Sequence, residues 1–167
     1  MLLKDIMIIH PIPPLYDENS RILILGSFPS VRSREEGFFY GHPQNRFWKV
    51  TSAVYGEDTP NTVEEKKSFL LRNHIALWDV IGSCDIEGSS DSSIRNVRAN
   101  DLSKILEYAD IRSIYVNGQT AYKYYRKYSE KETGKAAICL PSTSPANAAW
   151  SLERLKNAWS CIKKDEE

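Results

Sequence analysis

The sequence holds only three cysteines, Cys84, Cys139 and Cys161, widely separated and odd in number. No C-x-x-C pair occurs, which argues against a zinc knuckle and a disulfide framework, and an iron–sulfur cluster needs one thiolate more than the chain supplies. Buried free thiols are the reading that remains. Histidine is as sparse: His10, His42 and His74 stand at no metal-ligand spacing. No metal and no cofactor is expected. No apolar run approaches the roughly 20 residues of a membrane helix. The apolar start Met1–Ile9 is broken by Lys4 and Asp5 and lacks a small-residue cleavage site, so it reads as folded chain rather than a leader. The expected setting is the cytoplasm, on the nucleoid when bound to DNA, with no membrane partner.

Excess charge is also missing: 22 Lys and Arg balance 22 Asp and Glu. A protein that grips nucleic acid by bulk charge is usually basic. Neutrality leaves room for a local basic loop or a helix N-terminus holding a few phosphates. Several catalytic signatures are absent. There is no G-x-S-x-G elbow and no G-x-G-x-x-G fingerprint, and Gly134-Lys135 runs into Ala136 without the earlier glycine of a phosphate loop. No repeat, low-complexity block or linker divides the chain, so residues 1–167 read as one domain with a frayed charged end at Lys163–Glu167.

What is present is an alternation. Four short apolar runs, Arg21–Leu25, Ile75–Val80, Ser113–Val116 and Ala136–Leu140, read as buried strands. Helical patterns lie between and after them, at Arg46–Tyr55, Thr62–Arg72 with a Thr-Val-Glu-Glu capping box, Leu102–Tyr108, Gly118–Lys127 and Ala148–Lys163. This predicts an α/β fold: a short, mostly parallel four-stranded sheet in a three-layer α/β/α sandwich. Ligands in such folds bind outside the carboxyl ends of the strands. Four segments follow strands and should meet there: Gly26–Asn45, Asp79–Asn96, Asn117-Gly118 and Pro141–Asn147.

The first is the richest. Gly26-Ser-Phe-Pro-Ser30 breaks a strand abruptly, as a turn would, or as a close approach to a ligand would. Phe38, Phe39 and Tyr40 then precede Gly41-His-Pro-Gln-Asn-Arg46. Aromatics beside amides suit a flat heteroaromatic ligand, stacked on its face and hydrogen-bonded at its edge. Arg32, Arg34, Arg46 and Lys49 outnumber Glu35 and Glu36, the sign a phosphate backbone favours. Pro141-Ser-Thr-Ser-Pro-Ala-Asn147 either caps the helix that follows or holds a phosphate at its N-terminus. Asn117-Gly118 is either a turn or, through the asparagine's donor and acceptor, a reader of a base edge. His74 reads as structural, and His10 enters only if the fold brings it near.

Gly26-Ser-Phe-Pro-Ser-Val-Arg-Ser33 and Phe39-Tyr-Gly-His-Pro-Gln-Asn-Arg-Phe-Trp48 resemble the uracil-DNA glycosylase superfamily, and within it the hypoxanthine-DNA (deoxyinosine) glycosylase branch. The likeness runs on through Leu77-Trp-Asp-Val80, Gly88-Ser-Ser-Asp-Ser-Ser-Ile94, Val116-Asn-Gly118 and Pro141–Asn147. It implies a monofunctional glycosylase that flips a deaminated base out of DNA. Asn45 takes the catalytic position. Phe39, Tyr40, Asn117, Gly26, Ser27 and Phe28 are implied at the base, and Ser30, Ser33, His42, Arg46, Ser142, Ser144, Pro145, Ala146 and Asn147 at the DNA. The first motif lacks the acid, and the second lacks the histidine, that many members carry. That departure points to a mechanism built on amides, with Asn45 positioning a water or the sugar and Asn117 bonding the departing base. The expected substrate is duplex DNA containing a deaminated base, hypoxanthine ahead of uracil, with single strands open and the protein acting as a monomer. A non-catalytic damage-binding module and a small-molecule nucleosidase or esterase are the competing classes.

Overall fold

The structure, a computed structural model, describes residues 7–164. Met1–Ile6 and residues 165–167, on which two of the terminal expectations partly rest, lie outside the described residues.

Four parallel strands form the central sheet: β2 (Ile22–Gly26), β3 (Ile75–Asp79), β6 (Ser113–Asn117) and β7 (Ala137–Leu140), in the order β3-β2-β6-β7. These are the four expected strands. β2 is buried along its whole length and splits its side chains between two cores, as a strand with both faces covered must. Ile22 and Ile24 face one core with Phe47 and Val50 of α2 (Phe47–Tyr55), Phe69 and Leu70 of α3 (Val63–Arg72), and Leu155 and Trp159 of α7 (Leu152–Trp159). Leu23 and Leu25 face the other, with Ile105 of α4 (Ser103–Tyr108) and Ala121 and Tyr124 of α5 (Gln119–Tyr124). The result is the expected three-layer sandwich. The capping box of α3 is also as expected, with Thr62 and Glu65 satisfying each other's backbone N–H groups.

A second sheet was not foreseen. β4 (Ile81–Asp85) pairs antiparallel with both β1 (Ile8–Ile9) and β5 (Arg95–Ala99). The Asp79–Asn96 segment expected as loop therefore contains a strand, and the pairing explains why it looked like loop. β5 is Arg-Asn-Val-Arg-Ala and mostly exposed, so no apolar run marks it. Further on, α5 passes through a π-helical turn at Tyr125–Ser129 into α6 (Glu130–Thr133). The last predicted helix begins later than its pattern suggests. Ser151 caps α7, its Oγ accepting from Arg154 N at 3.1 Å, and a break at Ser160 separates α8 (Cys161–Lys164). Of the cysteines, Cys84 is buried but Cys139 and Cys161 are only half-buried.

Candidate active site

β2 lies between β3 and β6: the chain runs from β2 out to β3 on one side, then returns through β4, β5 and α4 to place β6 on the other. A crevice opens at such a reversal. Here it is a cavity of about 310 Å³, walled by all four strand-end segments.

Gly26 and Asp79 are register partners at the ends of β2 and β3. A Cβ on Gly26 would stand 2.5 Å from Asp79 Oδ1 and 2.9 Å from Tyr40 Oη, so only glycine lets those two groups approach the strand end. The next segment folds as α1 (Val31–Glu36), with Ser30 Oγ accepting from Ser33 N as its cap. Ser33 is buried, and its Oγ accepts from Gly41 N at 2.9 Å, which folds the aromatic loop back over the cavity. Phe39 is 2% exposed and packs at a T-shaped angle against Phe38. Tyr40 adopts φ 52°, a conformation few side chains tolerate, and is held there by stacking on Phe47 at 4.1 Å. Its hydroxyl is buried without a well-directed hydrogen bond. Burial, then the nearby Asp79 charge, push its pKa up, while the polar neighbour Asn117 opposes them by less.

Two asparagines reach the cavity from different segments, and backbone donors fix how each amide faces. Phe47 N donates to Asn45 Oδ1 at 2.9 Å. Thr143 N donates to Asn117 Oδ1 at 3.1 Å. A backbone N–H can only donate, so the accepting atom is oxygen in both residues and each Nδ2 lies on the other side. Thr143, fully buried, joins them: its Oγ1 accepts from Asn117 Nδ2 and donates to Asn45 Oδ1, both at 2.9 Å. Asn117 keeps one N–H and Asn45 keeps two. The site thus presents a pair of pre-set neutral donors.

Asp79 is buried and bonded to His10 Nε2 at 2.7 Å. His10 Nδ1 accepts from Ile12 N at 3.1 Å, so the ring proton is on Nε2 and is given to Asp79 Oδ2. A second carboxylate, Asp91, accepts from Ser27 Oγ at 3.3 Å at the cavity wall. Though Asp91 is exposed as a residue, desolvation of its carboxyl raises the pKa, hydrogen bonds from Ser27 and Thr120 lower it, and Asp79 raises it. Among the described residues no group of three or more His, Cys, Asp or Glu side chains could hold a metal, and no helix is long and apolar enough to cross a membrane.

The family model of the uracil DNA glycosylase superfamily matches residues 13–164. The chain belongs to this superfamily. It is 37% identical over 158 residues to a hypoxanthine DNA glycosylase of Methanosarcina acetivorans, covering 93% of this chain and 98% of that one. A hypoxanthine DNA glycosylase of Methanosarcina barkeri is 34% identical over 150 residues, covering 89% and 93%. A solution NMR structure from Methanosarcina acetivorans, provisionally designated a uracil DNA glycosylase, superposes with a TM-score of 0.81. It shares 34% identity and covers 96% of this chain and 99% of its own.

Within this superfamily member, most of the expected site residues line one cavity. Gly26, Ser27, Phe28, Ser30 and Ser33 come from the first motif, and Phe39, Tyr40, His42 and Asn45 from the loop that follows. Asn117 lines it from β6, and Ser142, Ser144, Pro145 and Ala146 from beyond β7. Arg46 and Asn147 do not line it. The Arg46 guanidinium donates to the carbonyl oxygens of Trp150 and Asn147, the latter at 3.0 Å, and Asn147 Nδ2 donates to Ser142 O at 3.0 Å. Both hold the Ser-Pro-Ala-Asn loop in shape. Other cations in the first segment are engaged too, Arg32 with Glu36 and Arg34 with the carbonyls of Pro29 and Gly88. Of the four cations, Arg34 and Arg46 therefore brace loops, while Arg32 and Lys49 are exposed.

The Pro141–Asn147 loop does not cap or start a helix, because α7 begins only at Leu152. Ser144 N donates to Ser142 Oγ and Ala146 N to Ser144 Oγ, both at 3.1 Å, so these hydroxyls turn the loop itself. Sequence reasoning missed Asp79, Asp91 and Thr143 as wall residues. For Asp79 there was a signal: a lone carboxylate ending an otherwise apolar strand. For Thr143 there was none, since its role depends on contacts with residues 26 and 98 positions away.

Proposed function

We propose that the chain hydrolyses the N-glycosidic bond of a flipped, deaminated base in DNA, with hypoxanthine preferred and uracil accepted. The observation that carries this reading is the pair of asparagines at one cavity, both turned by backbone N–H groups to offer amide protons. When the base–sugar bond breaks, its electron pair goes to the base and positive charge grows on the sugar. Fixed N–H donors at the base stabilise the departing anion without reorganising. Asn117 Nδ2 fills that role. Asn45 Nδ2 anchors a water through the water's oxygen and sets its approach to the sugar; an amide cannot take the water's proton, so the gain comes from positioning. The water adds to the sugar carbon and its proton passes to solvent. Phe39 and Tyr40 pack around the base. The hydroxyls of Ser30, Ser142 and Ser144, the His42 ring and the Pro145-Ala146 tip meet the DNA, with Arg46 and Asn147 acting through the loop they brace.

No lysine lines the cavity among the described residues, so the product is an abasic site with the strand intact. The test is incubation with duplexes containing a single deoxyinosine, deoxyuridine or deoxyxanthosine, followed by chromatography of the released base. Hypoxanthine should appear fastest. Binding of the deoxyinosine duplex with no base released would favour a damage-binding module instead.

A further inference from the structure

Deamination makes the same change to adenine and to cytosine. An exocyclic amine becomes a carbonyl, and the ring nitrogen beside it turns from an acceptor into an N–H donor. A pocket that must refuse adenine and take hypoxanthine therefore needs an acceptor opposite that ring nitrogen and a donor opposite the new carbonyl. The asparagines supply donors only. The acceptor has to come from elsewhere, and the cavity wall contains one.

Asp79 Oδ2 receives the His10 proton, whereas Oδ1 makes no hydrogen bond among the described residues. Oδ1 lies beside the bare Cα of Gly26, 2.5 Å from where a Cβ would stand, and Asp79 lines the cavity. The buried Tyr40 hydroxyl, also without a well-directed partner, faces the same spot, 2.9 Å from that Cβ position. A carboxylate oxygen of a buried residue on the cavity wall and a buried, unpartnered hydroxyl beside it form a polar edge that a ligand completes.

Resting on the glycosylase reading above, we infer that Asp79 is the residue that recognises the deaminated state of the base. Its Oδ1 accepts the N1–H of hypoxanthine, or the N3–H of uracil, while Asn117 and Tyr40 donate to the adjacent carbonyl. Adenine and cytosine would turn a lone pair toward the carboxylate and an amine toward the donors, and are refused at both points. His10 is a positioning residue. With Nδ1 committed to Ile12 N, it always offers a proton to Asp79 and so fixes which oxygen is left for the base.

That commitment makes Asp79→Asn an informative variant. His10 Nε2–H still needs an acceptor, so the new amide must turn its oxygen to His10 and its NH2 to the base, replacing an acceptor by a donor without altering shape. The experiment compares the rates at which wild type, Asp79→Asn and Asp79→Ala release base from duplexes carrying deoxyinosine or 1-methyl-deoxyinosine, which lacks the N1–H. Wild type should prefer deoxyinosine by at least about 10-fold, the effect of one unsatisfied buried polar group. Asp79→Asn should release hypoxanthine about 10- to 100-fold more slowly on the same basis. In both variants the preference between the two substrates should fall toward one. Because that preference is a ratio, it is insensitive to a general loss of folded protein. For a variant with no measurable turnover, the same ratio is read from binding of the two duplexes with a non-cleavable 2′-fluoro sugar at the lesion. A preference unchanged in both variants, or no preference in the wild type, overturns the role of Asp79 and leaves the glycosylase reading standing. No hypoxanthine released by the wild type overturns both.

Discussion

Asn45 accepts a hydrogen bond from the hydroxyl of Thr143, at 2.9 Å, in a position where Thr143 is fully sealed from solvent. The partner that fixes the proposed catalytic amide is thus itself fixed, through Asn117, to the end of β6. One hydroxyl sets the separation of the two amides.

Replacing Thr143 by valine should therefore slow base release more than it weakens DNA binding. The isosteric change removes the shared hydroxyl and leaves Asn117 Nδ2 and Asn45 Oδ1 each short of a partner, a stability cost of about 1–3 kcal/mol. Expected are a roughly 10-fold fall in kcat with little change in KM, a lower melting temperature, and recovery of kcat in Thr143→Ser. Equal kcat in the valine variant and the wild type would show that the hydroxyl only fills space.

Asn45→Ala should reduce release by about 100-fold or more, the scale for losing one pre-set polar group at a reacting centre. Asn45→Asp separates two ways of working. One carboxylate oxygen can keep the bonds to Phe47 N and Thr143 while the other faces the water as an acceptor. If Asn45 positions water, the aspartate variant recovers rate above the alanine variant. Single-turnover rates that are equally low in the two would show that the amide N–H itself is needed and that an acceptor cannot replace it.

Arg46→Lys tests whether this arginine braces the loop or touches phosphate. Lysine cannot reproduce two directed bonds to the Trp150 and Asn147 carbonyls. Affinity should drop, yet the slope of log affinity against log salt should stay as in the wild type. Affinity unchanged in the lysine variant, which keeps the charge but not the two directed bonds, would instead place Arg46 on a phosphate.

Burial pushes the Cys84 thiol up to about 11, against an ordinary 9.0, with the Arg34 charge opposing the rise. Its folded pKa lies above the unfolded one, so the associated stability is complete below pH 9 and declines as pH rises toward 11. Denaturant midpoints should fall across that window, and iodoacetamide at pH 8 should label Cys139 and Cys161 before Cys84. Prompt labelling of Cys84 in the folded protein would contradict its burial.

The parallel sheet was legible because apolar strands buried on both faces carry their own signal, as in Ile22–Leu25. The second sheet was not. β5 has polar residues on both faces, and only its pairing with β4 makes it a strand. At the site, glycine, amide and aromatic residues grouped in one loop pointed to a flat ligand, and the family resemblance singled out Asn45 within it. Arg46 looked like a phosphate ligand because a sequence gives charge without showing which carbonyls surround it. Asp79 and Thr143 escaped because an aspartate at a strand end and a threonine in a loop are common, and distant partners give them their meaning.

The small antiparallel sheet has a consequence for how the protein is made. β1 lies along β4, His10 N donates to Gly82 O at 2.8 Å, and His10 and Asp79 bond across 69 positions. The far wall arrives later still, with Asn117 and then Thr143. During synthesis the earliest described residues must therefore wait for nearly the whole chain before the cavity can close. A prematurely terminated product lacking the Pro141–Asn147 loop would hold the Asp79 wall without the hydroxyl that orders the asparagines. Such a fragment would carry the reader and both asparagines without the hydroxyl that sets their separation.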